Sequence, residues 1–242
     1  MKAINNYITE KIKLSDERFN KIQPKTKEEL VEIIKAEVDK NGWECDLNHI
    51  DVSKLDELDN LFAAELYDEE TYDLENFDGD ISKWNVSNIT SMKNLFWCSK
   101  FSGKNGDISD WDVSKVEDMS GLFNNSRYNG DISDWDVSSV ENMDCMFWGI
   151  GNEADGFEPE EFDLSKWDVS SVTDMSSMFA HSSFNSDISN WDISNVESMN
   201  SMFMYSDFNQ DISSWVISYD TDTRDMFENC SIKEEYKPAD VN

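Results

Sequence analysis

The sequence predicts an α/β repeat fold, a solenoid in which each unit of about 24 residues holds one short strand and one short helix. Three observations predict it. The stretch Asp187 to Phe203 recurs along the chain, with Trp191 matched by Trp84, Trp111, Trp135, Trp167 and Trp215 and, in degenerate form, by Ile50. The step is 24 residues from Trp111 to Trp135, Trp167 to Trp191 and Trp191 to Trp215. Within each unit the apolar spacing changes from two to three and four, the mark of a strand running into a helix. Units of this length cannot bury an apolar face alone and stack to do so.

With Trp as position zero, position −4 is Asp in six units: Asp80, Asp107, Asp131, Asp163, Asp187 and Asp211. Position −3 is Ile or Leu, and position +2 is Val86, Val113, Val137, Val169, Ile193 or Ile217. Strand side chains alternate, so Trp and the β-branched residue at +2 share the buried face while −1 and +1 face solvent. A serine follows at +3 (Ser87, Ser114, Ser138, Ser170, Ser194, Ser218), and apolar residues then fall at +5, +8, +11 and +12, as in Val196, Met199, Met202 and Phe203. That spacing predicts a helix, with the serine as N-cap and Ser114/Glu117, Ser138/Glu141 and Ser194/Glu197 as capping boxes. The Trp, Met and Phe columns are core, stacked unit on unit.

The pattern D-I-S-x-W-D-V-S-x-V-x-x-M-x-x-M-F, preceded by Phe-Asn as in Phe184-Asn185 and Phe208-Asn209, resembles the BspA-type leucine-rich repeat of bacterial surface proteins and mycoplasma-type lipoproteins. The match covers about Asp46 to Phe227. The resemblance implies a right-handed leucine-rich-repeat-like solenoid that binds other macromolecules and does no catalysis. Many surface members of that group are secreted adhesins, which makes an adhesin-like surface role one alternative.

In chain order, residues 1–44 form a leader and capping helix, 45–230 the repeats (about seven units), and 231–242 a polar tail. The leader is amphipathic (Ile4, Ile8, Ile12, Leu14) and broken by Pro24. It resembles leaders of repeat proteins from large phages of gut bacteria, which suggests a phage-encoded member. Thr26-Lys-Glu-Glu29 is a capping box opening a helix that carries Leu30, Ile33, Ile34 and Val38 and stops at Asn41-Gly42, placed to cap the N-terminal end of the stack. Inserts interrupt the repeats around Tyr67 to Asp73, at Gly103 to Asn105, and from Gly149 to Gly156 with Pro159. The N-terminus shows no long apolar core of a signal peptide and no lipobox cysteine, and no apolar run reaches membrane-spanning length. The expected location is cytoplasmic, with no membrane partner. Cys45, Cys98, Cys145 and Cys230 occupy different repeat positions and read as free thiols of a reducing compartment.

Charge is the second signal. Fifty-two acidic side chains against twenty basic give a net charge of −32. Residues 1–44 balance nine basic against nine acidic groups, so the whole imbalance belongs to the repeats. Asp110, Asp112, Asp134, Asp136, Asp168 and Asp192 flank the buried tryptophans and form a predicted acidic face, relieved by Lys83 and Lys166. Trp97, Tyr128, Trp148 and Tyr205, just after the predicted helices, form a second candidate edge of exposed aromatic anchors.

Catalytic signals are missing. His49 and His181 stand alone, there is no metal-ligand spacing and no phosphate loop, and carboxylates are too common for any pair to mark an acid/base dyad. No cofactor is expected and the chain is read as a non-enzyme. Calcium at the −4 aspartates is weighed against an Asx-type bond within each turn, and the turn is the better reading. The function expected is recognition of a basic protein by the acidic face, as scaffold, adaptor or inhibitor, with phage infection as one setting. The alternative is a nucleic-acid mimic that occupies the site of a DNA- or RNA-acting protein. Two carboxylate columns at about 4.8 Å approach the charge density of duplex DNA, one per about 1.7 Å. Direct nucleic-acid binding is disfavoured by the same charge, and self-repulsion predicts a monomer.

Overall fold

Thr26 opens a helix, as its sequence context predicts. In the computed structural model, which describes residues 21–64, 72–151, 162–239 and 241, α1 runs Lys27–Asn41. Thr26 Oγ1 accepts the Glu29 N–H at 3.3 Å. The Glu29 carboxylate reaches back to the Lys25 N–H at 2.8 Å, so two N–H groups at the helix start are satisfied by side chains. Gly42, at φ 86, ends the helix. Buried Leu30, Val31, Ile34 and Val38 join the same core as Leu47, Ile50 and Leu58 of the first unit, and Lys27 pairs with Glu57 at 2.7 Å. The amphipathic leader, most of the acidic insert at 67–73 and most of the insert at 149–159 lie outside the described residues.

The repeat units correct the predicted architecture. Among the described residues α1 is the one α-helix, Glu234–Tyr236 is a single 3-10 turn, and the β contacts are isolated parallel bridges with no strand. An α/β leucine-rich-repeat-like solenoid, with a strand and a helix in every unit, does not form. Two local facts explain this. The serine at +3 does not cap a helix. Its N–H and hydroxyl are taken by the residue two before it, as Ser138 N–H (3.2 Å) and Oγ (2.6 Å) are by Asp136 Oδ1. And the stretch read as helical crosses into positive φ twice per unit. Position +10 does so at Asn94 (54°), Cys145 (56°), Ser177 (53°) and Ser201 (56°), and position +14 at Cys98 (50°), Asn125 (48°), His181 (56°) and Tyr205 (55°). A right-handed helix cannot pass through such residues.

What forms instead is a chain of turns. In the unit of Trp111, N–H groups bond three residues back from Trp111 to Ile108, Val116 to Val113, Leu122 to Met119, Asn124 to Gly121 and Ser126 to Phe123. Positive φ at the third residue of the turns closed by +11 and +15 fits the type II turn. The N–H groups between these, at +8, +10, +12 and +14, all donate to the next unit. Met119 bonds Asn142 O (2.9 Å), Gly121 bonds Asp144 O (2.8 Å), Phe123 bonds Met146 O (2.9 Å) and Asn125 bonds Trp148 O (2.8 Å). Backbone donors thus alternate between closing turns within a unit and joining one unit to the next, which satisfies buried amides without helix or strand. Apart from Ile22 with Ile50 and Asp46 with Asp80, the bridges run in one register, from Glu57 through Ser91, Asp118, Asn142, Asp174 and Ser198 to Asp222. They fall at +7, inside the segment the sequence assigned to a helix. The segment assigned to a strand makes two tight turns.

Two side-chain columns hold the register. Each repeat tryptophan is 4–5 % exposed and donates its indole N–H to the −3 carbonyl of the preceding unit: Trp84 to Leu47 (3.0 Å), Trp111 to Ile81 (3.3 Å), Trp135 to Ile108 (3.2 Å), Trp167 to Ile132 (3.0 Å), Trp191 to Leu164 (3.0 Å) and Trp215 to Ile188 (3.3 Å). The phenylalanines at +12 stack with centroids 5.6–5.9 Å apart, from Phe62 through Phe96, Phe123, Phe147, Phe179 and Phe203 to Phe227. Such pairs add to the stabilisation from burial alone.

Candidate functional site

The six predicted acidic-face residues, Asp110, Asp112, Asp134, Asp136, Asp168 and Asp192, are all exposed. They lie to either side of the buried tryptophans, so the indole-to-carbonyl bonds that set the unit register also align these carboxylates into two columns. Side chains at +4 tie neighbouring units at the same level: Ser139 Oγ donates to Ser114 O at 2.7 Å, Ser171 Oγ to Ser138 O at 2.6 Å and Asn195 Nδ2 to Ser170 O at 2.7 Å.

The +1 column is held rigidly. Oδ1 of Asp112, Asp136, Asp168 and Asp192 accepts the N–H of the serine two residues on at 3.0–3.3 Å. At Asp112, Asp136 and Asp168 the serine hydroxyl donates as well, at 2.6 Å. One oxygen is thereby fixed in an Asx turn while the residue stays exposed. The serine hydrogen bonds hold the Asp112, Asp168 and Asp192 carboxyls below the usual range, and the Asp192 charge opposes this at Asp168. Asn85 fills this position in the second unit and makes the same two bonds, with Ser87 N–H (3.2 Å) and Oγ (2.8 Å). In the −1 column Asp134 pairs with Lys166 at 2.8 Å.

The −4 aspartates form a third column. Each accepts the N–H two residues on through Oδ1 at 2.9–3.0 Å, from Ser82 on Asp80 to Ser213 on Asp211. This is the turn bond weighed against calcium above. No cluster of three His, Cys, Asp or Glu able to hold a metal occurs among the described residues. A partly buried acidic row lies apart from the face: burial raises the Asp144 carboxyl, with Asp174 and Asp118 adding to it, and burial likewise raises Asp59.

The aromatic edge needs correction. Tyr128 is fully buried. It stands in a second ring column beside the phenylalanines, 6.0 Å from Phe101 and 4.6 Å from Phe123, and its hydroxyl has no hydrogen-bond partner among the described residues. The sequence held the signal: Tyr128-Asn129 precedes its repeat aspartate as Phe208-Asn209 does. Trp97 and Trp148 are half-buried, and Tyr205 is 49 % exposed. The structure brings together Trp148, His181 and Tyr205, with His181 5.0 Å from each ring. His181 holds the same place in its unit as Tyr205, and that register is the sequence signal for it; as a lone histidine it suggests only a metal or nucleophile role. The four cysteines are free; burial and the adjacent Asp144 carboxylate push the Cys145 thiol well above its ordinary range. No described helix is long and apolar enough to cross a membrane.

Units of turns in one register, with columns of fixed carboxylates along them, define a repeat protein with an acidic face. The chain belongs to the family described as Mycoplasma protein of unknown function, DUF285, which matches residues 65–160 and again 152–237. No curated protein and no solved structure matches the chain.

Proposed function

We propose that the chain is a non-enzymatic binding protein whose acidic face recognises a basic protein inside the cell, as scaffold, adaptor or inhibitor. One observation carries this reading: the +1 carboxylates are exposed, repeated unit by unit, and each is fixed by its own serine. A charged group already held in place loses little freedom when a cation docks on it, and a column of them steers a basic surface in from a distance. Solubility alone needs neither the alignment nor the fixed geometry. The likeness to BspA-type surface repeats supports a binding role, and the phage-like leader offers infection as a setting.

The test uses Asn in place of Asp. Asn85 already makes the turn bonds at this position, so D112N, D136N, D168N and D192N together remove four charges and keep the turns. In low-salt capture from a lysate followed by mass spectrometry, the wild type is expected to retain a basic protein that the fourfold variant loses. Equal retention by both removes the acidic face from the account. Competition by double-stranded DNA for the captured protein would favour a nucleic-acid mimic over an ordinary adaptor.

A further inference from the structure

We infer that the C-terminal end of the repeats is an open backbone edge onto which an extended basic segment of the partner adds. The inference rests on the basic-partner reading and specifies where and how such a partner is held. In every inner unit the N–H groups at +8, +10, +12 and +14 donate to the next unit, as Met199, Ser201, Phe203 and Tyr205 do to Asp222, Arg224, Met226 and Glu228 at 2.8–2.9 Å. The same positions in the last unit are Thr223, Asp225, Phe227 and Asn229, and their N–H groups meet no acceptor among the described residues. The chain beyond covers another part of this end: Tyr236 O takes the Ile212 N–H at 3.0 Å. Between Asp225–Glu228 and the residues Glu234, Lys237, Ala239 and Val241 lies a cavity of about 570 Å³. A second, of about 460 Å³, adjoins Thr223 and the exposed Tyr219. A row of donors at alternate residues, beside space for side chains, is what strand addition requires.

Polarity and charge select the occupant. From Asp222 to Glu228 every carbonyl already accepts an N–H of this chain, so this stretch of the edge offers donors alone and two copies of it cannot pair with each other. The matching acceptors belong to the first unit, against which α1 packs through Lys27 and Glu57, and two chains of charge −32 repel. At the open end Arg224 is bound to Asp222 and Lys237 to Glu234; Lys233, which lies over the Tyr236 ring, then stands against Asp220, Asp225, Glu228 and Glu235, and the sign is negative. The segment that fits presents backbone carbonyls at alternate residues and carries cationic side chains.

Amide NMR of the whole chain tests this with a blocked eight-residue peptide alternating Lys and Thr, and a Glu/Thr peptide as control. The basic peptide is expected to shift the Thr223, Asp225, Phe227 and Asn229 amide signals and to slow their hydrogen exchange at least about tenfold; the acidic peptide does neither. Shifts confined to the Asp112–Asp192 face overturn edge addition and leave the basic-partner reading standing. Shifts nowhere overturn both. Protection that grows with protein concentration and without peptide assigns the edge to a second copy and overturns the proposal.

Discussion

Replacing Trp135 by Phe tests the column that sets the register of the acidic face. The indole is 4 % exposed, its N–H reaches Ile108 O at 3.2 Å, and its ring lies 6.1 Å from Phe123. Phenylalanine keeps an aromatic ring there and removes the donor. Ile108 O still holds the Trp111 N–H at 3.1 Å, so the carbonyl is not orphaned and the lost bond is worth about 1 kcal/mol. The smaller ring leaves a void that adds roughly 1 kcal/mol. The expected loss is therefore about 2 kcal/mol, against about 3–5 kcal/mol for Trp135→Ala. In urea titrations this appears as a midpoint lowered by about 1 M at unchanged slope. Tyr205→Phe is the control, since a half-exposed ring there bonds nothing through its hydroxyl in the described contacts; it is expected to stay within about 0.5 kcal/mol. A Trp135→Phe midpoint equal to that control would refute the indole bond as a structural tie.

Three further outcomes follow from the same contacts. Tyr128→Phe removes a buried hydroxyl without a partner from a column otherwise of Phe, and is expected to gain about 1 kcal/mol in the same titration; a loss of that size would mean the hydroxyl is satisfied. Ser138→Ala removes the hydroxyl bond to Asp136 and leaves the N–H bond, so it is expected to cost under about 1 kcal/mol and to leave partner affinity near wild type. Acid should act in two directions. Asp112, Asp168 and Asp192 have lowered carboxyls, and Asp222, held by Arg224, is lowered to about 2. Their stabilisation is present above the unfolded value near pH 4 and is lost as pH falls below it, down to about pH 2 for Asp222. The raised Asp59 and Asp144 work oppositely: their contribution is complete below about pH 4 and lost as pH rises through their folded values. Thermal melts against pH should therefore peak in mild acid, where self-repulsion is also relieved, and a melting temperature highest at pH 8 would contradict this.

Much of the geometry is legible in the sequence, although its secondary structure is not. The buried Trp and Val113-type positions and the exposed Asp112 and Asp136 follow from alternation around Trp, which a pair of tight turns satisfies as well as a strand does. The apolar steps of three, Val113 to Val116 and Met119 to Leu122, join the two ends of turns closed three residues back. A helix leaves the same spacing. What separates the two is the sign of φ at +10 and +14, which Gly121 and Gly149 signal in their units while Ser201 and Tyr205 at the same positions do not. Its place just after the apolar run suggests an exposed Tyr128, whereas its register with Phe208 ahead of the repeat aspartate puts it in the core. The open edge at Thr223 to Asn229 could not be read at all, since it depends on where backbone donors point.

Turn-fixed carboxylates are proposed to supply the binding energy for a basic partner. The most direct measurement is the affinity of the captured partner for wild type and for the D112N/D136N/D168N/D192N chain, each at two salt concentrations, with circular dichroism confirming an unchanged fold. At least about tenfold weaker binding by the variant, with a shallower dependence on salt, is the predicted result. The same affinity and the same salt dependence for both chains would contradict it.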